Sequence, residues 1–119
     1  MAIRNVTMRN SLATAYKTAG PYGALFTADP GTSGSVTGEV SGGSPAYARV
    51  AASWGTASAS VITSSAMAFN VPSGSTITYF GVCTAGTAAT ADLQDSVAVT
   101  SQNFASQGTY TVTATFTQS

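Results

Sequence analysis

Histidine is absent from this chain of 119 residues, and cysteine occurs once, as Cys83. Without histidine, a Ser-His-Asp or Cys-His arrangement and a histidine-ligated metal are impossible. A single cysteine excludes an intramolecular disulfide, which fits synthesis in a reducing cytoplasm. Cys83 ends an apolar stretch without a neighbouring base, so we interpret it as a small hydrophobic residue rather than a nucleophile.

Charge is also scarce. Charged residues make up 7% of the chain, four basic and four acidic, whereas ordinary soluble domains carry about 25%. A net charge of zero neutralises almost no phosphate, so we predict no nucleic-acid partner. A nearly uncharged surface promotes association. The composition therefore favours a protein that functions inside an assembly.

Long apolar runs are missing as well. No stretch approaches the roughly 18 apolar residues of a transmembrane helix, and the first residues lack the apolar core of a signal peptide. Neither of the glycine-rich phosphate-binding fingerprints occurs. We therefore expect no membrane partner, no export by a signal peptide and no cofactor.

The acidic side chains are the remaining candidates for chemistry. They are Asp29, Glu39, Asp92 and Asp95. Asp92 and Asp95 could share a Ca²⁺ ion with loop carbonyls, and two of the four could act as a glycosidase pair. No Asp-dense calcium loop surrounds them, and Trp54 is the single tryptophan. We therefore predict that Asp92 and Asp95 are solvated loop carboxylates, and we predict no metal site, no catalytic residue and no enzymatic activity.

Short apolar runs separated by Gly, Pro and Ser turns predict an all-β chain, an antiparallel β-sandwich or jelly-roll-like domain. The clearest run is 109–117, in which five threonines alternate with apolar residues that share one face. Gly81 interrupts the central run and predicts a bulge or a close backbone approach. Asp29-Pro30-Gly31 predicts a turn with a positive φ at Gly31. The other predicted strands cover residues 24–26, 46–50, 57–63, 66–71, 75–83 and 97–100.

Residues 6–18 predict one helix, which ends at Gly20-Pro21. Met8, Leu12 and Ala15/Tyr16 recur at helical spacing. We expect this stripe to pack on the chain's own sheet, and a neighbouring subunit is the alternative. The predicted organisation is thus an N-terminal segment, residues 1–22, that carries the helix as a docking arm, and a β-sandwich domain, residues 23–119.

The basic residues cluster in the first 20 positions. Arg4, Arg9 and Lys17 lie there without an acidic residue, while the remainder of the chain is net acidic. A basic end on an acidic body predicts docking on an acidic neighbour, and a solvated helix face is the alternative. Arg4, Arg9 and Lys17 are therefore the candidate partner-binding residues.

A family resemblance rests on a series of short motifs. They are LFTADPG at 25–31, GEVSGG at 38–43, PAYAR at 45–49, WG at 54–55, VPSG at 71–74 and ITYFG at 77–81. In this order the chain resembles small virion structural proteins of tailed phages, notably actinobacterial phages, which are labelled tail-fibre-like or minor structural proteins. It departs at Val82-Cys83, where that family often has an aromatic residue. The resemblance implies a β-sandwich virion component without enzymatic activity.

Two roles in a virion follow as hypotheses. The first is a capsid decoration, cement or minor capsid protein that binds the major capsid protein through the basic segment. The alternative is a tail-tip or tail-fibre-associated protein that contacts a host surface glycan, with Tyr47, Trp54 and Tyr79 as candidate contacts, although Tyr47 and Trp54 are more typical of a core. Under both we expect assembly in the host cytoplasm, location in the virion and homo-oligomer formation. A carbohydrate-active enzyme is a third and weaker hypothesis.

Overall fold

The computed structural model describes residues 3–118, and within them it has one helix and eight strands. The helix is α1, Val6–Ala19. The strands are β1 Tyr22–Phe26, β2 Val50–Ala51, β3 Val61–Thr63, β4 Met67–Val71, β5 Ser75–Cys83, β6 Leu93–Phe104, β7 Gly108–Val112 and β8 Thr115–Thr117. Their pairings are antiparallel. The predicted all-β class with one N-terminal helix is confirmed.

Three sheets make up the β structure. One has four strands in the order β2-β1-β5-β6, and two small sheets pair β3 with β8 and β4 with β7. Strand β5 has the bounds predicted for the central run and lies between β1 and β6. Gly81 permits the close backbone approach expected there, because a Cβ atom would lie 2.6 Å from Leu93 Cδ1 and 3.0 Å from the Asp95 carbonyl oxygen.

The main hydrophobic core lies between the four-stranded sheet and β4. Leu25, Met67, Phe69 and Ile77 are fully buried in it. The Phe69 ring meets the Phe80 ring edge-on, with centroids 6.5 Å apart. The Tyr47 ring is stacked on the Phe69 ring, with centroids 6.3 Å apart. The interpretation of Tyr47 as a core residue is therefore confirmed.

The last predicted strand divides into two. β7 pairs with β4 and β8 pairs with β3, so the single strand predicted over 109–117 is wrong. The break lies at Ala114, whose N–H donates to Ser64 Oγ and whose carbonyl oxygen accepts from Ser64 N. The predicted faces are correct, since the threonines are exposed and the alternating apolar residues are half-buried. Alternation determines which face a residue occupies, but not which strand it pairs with.

Two other predicted strands are shorter in the structure. Only Val50–Ala51 forms a strand near residues 46–50, because the preceding residues are held by side-chain contacts of Tyr47 and Arg49. Only Val61–Thr63 forms a strand within residues 57–63, since Ala59 and Ser60 have positive φ and form a turn. The positive φ predicted at Gly31 is present, at +79°, and the Gly31 N–H donates to Asp29 Oδ1 at 2.8 Å.

Helix α1 packs on the domain through only part of the predicted stripe. The Asn5 side chain accepts hydrogen bonds from the N–H groups of Thr7 and Met8 and so caps the helix. Ala13 is fully buried, whereas Met8 is 52% exposed and Leu12 is 37% exposed. The predicted packing on the chain's own sheet is therefore wrong for Met8 and Leu12, while Tyr16 of the same stripe stacks on Phe116 of β8. The small side chain of Ala13 lets the helix approach the sheet closely. Among the described residues, no helix is long and apolar enough to cross a membrane.

Candidate functional site

Arg49 is the centre of a buried polar cluster. Its side chain has no solvent exposure, and all five of its N–H groups have partners. Nε and Nη2 donate to the two carboxylate oxygens of Glu39 at 2.9 and 3.0 Å. Nη1 donates to Asp92 Oδ1 at 2.8 Å, and the Ala85 and Thr90 carbonyl oxygens accept the other two N–H groups. Fully satisfied hydrogen bonding of this kind is what allows a guanidinium to be buried.

Glu39 extends this cluster to the core. Its side chain is only 4% exposed. Besides Arg49, its oxygens accept from the Tyr47 hydroxyl at 2.8 Å and from the Ala89 N–H at 2.9 Å. The same hydroxyl accepts from the Leu25 N–H of β1. We call Glu39, Tyr47, Arg49 and Asp92 the Arg49 cluster, and it ties the two long loops, residues 27–49 and 84–92, to the four-stranded sheet.

The electrostatics of the Arg49 cluster fit a structural role. Burial by itself lowers the pKa of Arg49, but the hydrogen bonds to Glu39 and Asp92 outweigh burial, so the pKa is raised and the guanidinium keeps its charge. Burial, with the nearby Glu39 carboxylate, also raises the pKa of Tyr47. Both carboxylates are engaged by one guanidinium. The prediction of a solvated loop carboxylate is therefore wrong for Asp92.

The structure separates the two aspartates that were considered for a metal. Asp92 binds Arg49, whereas Asp95 accepts from the Tyr16 hydroxyl at 2.7 Å and from the Ser96 N–H. Across residues 3–118, no group of three or more acidic or cysteine side chains is placed to hold a metal ion. The geometry therefore offers no donor set for Ca²⁺ in this part of the chain.

Cys83 lies beside the Arg49 cluster, and we expect it to be unreactive in the folded protein. Its side chain is buried, and burial raises the pKa of the thiol from 9.0 to about 12. The neutral thiol thus contributes stability that is present below pH 9 and is lost as the pH rises through 12. At pH 8 a thiol-reactive dye should label the native chain very slowly and the guanidinium-unfolded chain at once. Rapid labelling of the native chain would contradict this assignment.

The three candidate partner-binding cations differ in their surroundings. Arg4 is exposed. Arg9 is half-buried, and its Nε is a buried atom without a hydrogen-bond partner among the described residues. Lys17 Nζ donates to the Gly55 carbonyl oxygen of its own domain at 3.1 Å. Docking through these residues stays a prediction, and Arg4 is the cation most free to meet a partner.

A groove opens between β6 and the chain segment that includes β8. Its volume is about 460 Å³, and we call it the β6–β8 groove. Half-buried apolar side chains line it from both sides, while Val97 of β6 is 57% exposed. Strand β6 is also the outer strand of its sheet and pairs only with β5 among the described residues. The lining includes Tyr16, Trp54, Asp95, Val97, Val99, Val112, Ala114 and Phe116.

A second apolar surface lies on α1. Met8, Leu12 and Ala15 are exposed and share one helix face, which we call the α1 stripe. Within residues 3–118, the exposed large hydrophobic side chains are those of Val6, Met8, Leu12 and Val97. The large exposed apolar side chains of this part of the chain are therefore confined to α1 and to β6 beside the β6–β8 groove.

The aromatic residues considered for glycan contact differ in their exposure. Tyr47 is buried in the core, so its candidacy as an exposed contact is wrong. Trp54 is half-buried and its Nε1 donates to the Gly20 carbonyl oxygen at 2.8 Å. Tyr79 is half-buried, and its hydroxyl donates to Asp29 Oδ2 at 3.3 Å. Trp54 and Tyr79 therefore remain as the candidate residues for glycan contact.

Sequence reasoning missed the Arg49 cluster and the β6–β8 groove. One signal for the cluster was available, because Arg49 is the only basic residue after position 20 and stands inside an apolar run. A lone arginine in such a run needs a carboxylate partner. The groove left no comparable signal, since its walls come from residues that are far apart in the chain.

Fold and site together define a small all-β protein in which most charged side chains bond to other parts of the same chain. The family model described as podophage GP4 fiber I protein gp80 matches residues 1–118. The chain belongs to this family, which is one of phage fibre-type structural proteins. No curated protein and no solved structure gives a significant match. The resemblance to tail-fibre-like phage virion proteins is thereby confirmed, and its actinobacterial and minor-capsid parts stay predictions.

Proposed function

We propose that this protein is a non-enzymatic component of a tail fibre in a phage virion, where it serves as a structural unit near the host-facing end of the particle. The observation that carries the proposal is the family match over residues 1–118, since the matching family is described by a fibre protein. The alternative hypothesis formed from the sequence therefore replaces capsid decoration as the preferred role.

The surface of the molecule also supports a fibre role. The decoration hypothesis relied on a basic arm, but Lys17 bonds to its own domain and Arg9 is half-buried. What the described surface does present is apolar area on α1 and beside the β6–β8 groove. Such area suits a subunit that completes its packing against neighbouring subunits. If the fibre also contacts a host glycan, Trp54 and Tyr79 are the aromatic candidates.

The position in the virion tests the proposal directly. Purified particles would be labelled with gold-conjugated antibody against this chain, and its amount would be measured by quantitative mass spectrometry relative to the major capsid protein. We expect label at the tail and a copy number far below that of the major capsid protein. Antibody against the major capsid protein is the control for head labelling. Label over the head at near-equal copy number would establish decoration and overturn the fibre role.

A further inference from the structure

The two exposed apolar surfaces of this chain have complementary properties. The α1 stripe is a ridge of three apolar side chains on a helix, and the β6–β8 groove is a concave apolar surface. We propose that the α1 stripe of one copy binds in the β6–β8 groove of a second copy. The contact supplies each surface with the apolar partner that it lacks within its own chain.

Charge supports a second copy as the occupant. Arg4, next to the helix, is exposed, and the ion pairs of the described residues all involve Arg49. Asp95, an exposed residue, lines the groove, and its carboxylate accepts from the Tyr16 hydroxyl and the Ser96 N–H but likewise has no cationic partner among the described residues. Residues 1–20 are basic and the remainder of the chain is acidic. Opposite charges therefore flank the two apolar surfaces and favour their approach.

The two surfaces are different parts of the molecule, so the contact joins unlike patches. Tyr16, which neighbours Leu12 on the helix, already lines the groove of its own copy, whereas the three residues of the α1 stripe are exposed and lie outside that groove. A contact between unlike patches leaves one donor and one acceptor surface free on every pair. Repetition closes into a ring or extends as a filament, and either product suits a fibre.

The size of the contact determines its strength. From Met8 to Ala15 the stripe spans about two helical turns, or roughly 11 Å. Such a ridge buries much less than the roughly 800 Å² per partner of a standard interface. We therefore expect a single contact to be weak in solution and to become stable when many copies are held in a row.

Pairwise cysteine crosslinking tests this contact in the full-length chain. Met8→Cys and Val97→Cys would be introduced into separate preparations, mixed at high concentration and joined with a short bismaleimide, and the linked peptides identified by mass spectrometry. We expect linkage of position 8 to position 97 to dominate. The buried Cys83 should stay unmodified, and the unaltered chain controls for that.

Thr14→Cys is the matched control on the helix. Thr14 is exposed on α1 but lies off the stripe, so its linkage to Val97→Cys should be severalfold weaker than that of Met8→Cys. Equal yields would overturn the proposal. Linkage mainly of position 97 to position 97 would also overturn it, because that product indicates symmetric pairing of two β6 edges.

A charge reversal supplies an independent readout. Arg4→Glu should reduce the yield of the 8–97 linkage severalfold at low salt, and the parent's own yield should fall as salt is raised. If Arg4→Glu crosslinks like the parent and salt changes neither yield, the charge argument is wrong. The inference concerns self-association and rests on the proposed fibre role. The experiments nevertheless test the proposed contact and the fibre role separately. Head labelling in virions overturns the fibre role alone, and absence of 8–97 linkage overturns this contact alone.

Discussion

Replacing Arg49 by leucine is expected to lower the free energy of unfolding by about 3–5 kcal/mol, the usual cost of breaking a buried ion pair from one side. The substitution leaves Glu39, 4% exposed, as a buried carboxylate without its cation. It also removes the donors that satisfy the Ala85 and Thr90 carbonyl oxygens. Since small domains have only about 5–15 kcal/mol of stability in total, this substitution would remove a large part of the chain's stability. Urea denaturation followed by tryptophan fluorescence measures the loss.

Three further variants make this experiment decisive. Arg49→Lys keeps the charge but not the five-donor geometry, so an intermediate loss is expected. Arg4→Leu removes an exposed cation and should change stability by no more than about 0.5 kcal/mol. Glu39→Leu combined with Arg49→Leu should cost less than the sum of the two single changes, because the buried Glu39 carboxylate is then no longer left without its cation and only Asp92, 16% exposed, loses its ion pair. Equal stability of Arg49→Leu and Arg4→Leu would contradict the role assigned to the cluster.

The parts of the fold that could be predicted are those determined by local pattern. The bounds of β5 and the two faces of residues 109–117 follow from runs of apolar and β-branched residues. The division of 109–117 into β7 and β8 could not be predicted. It depends on Ser64, which binds the backbone of Ala114 from 50 positions away.

The candidate site was harder to predict for the same reason. Arg49 contacts Glu39 across 10 positions and Asp92 across 43, and no local spacing indicates such pairs. The packing face of α1 was predicted only in part, because the whole apolar stripe was assumed to face inward, whereas Met8 and Leu12 are exposed. In the structure, Ala13 and Tyr16 provide the contact, through close approach and ring packing. A stripe of large apolar residues identifies a contact face of a helix, but not whether its partner belongs to the same chain.

Replacing Tyr16 by alanine is expected to lower the free energy of unfolding by about 2–4 kcal/mol, because this side chain holds α1 on the sheets. Its ring stacks on Phe116 with centroids 3.8 Å apart and meets the edge of Trp54 at 6.1 Å. Its hydroxyl donates to Asp95, and burial together with this carboxylate raises its pKa, so the phenol stays neutral at ordinary pH. Urea denaturation measures the loss, and hydrogen exchange of the helix amides reports whether α1 detaches.

Two control variants, Tyr16→Phe and Leu12→Ala, separate the contribution of the Tyr16 ring from that of its hydroxyl. They also test the predicted boundary between an N-terminal arm, residues 1–22, and the β domain. Tyr16→Phe keeps the ring stack and loses only the hydrogen bond to Asp95, so it should lower the free energy of unfolding by no more than about 3 kcal/mol. Leu12→Ala alters the exposed side of α1 and should change stability by no more than about 0.5 kcal/mol. If Tyr16→Ala proved as mild as Leu12→Ala and the helix amides exchanged freely in the parent, α1 would be a detachable arm. A large loss with faster helix exchange would instead make α1 an integral part of the β domain, leaving the α1 stripe free for a neighbouring copy.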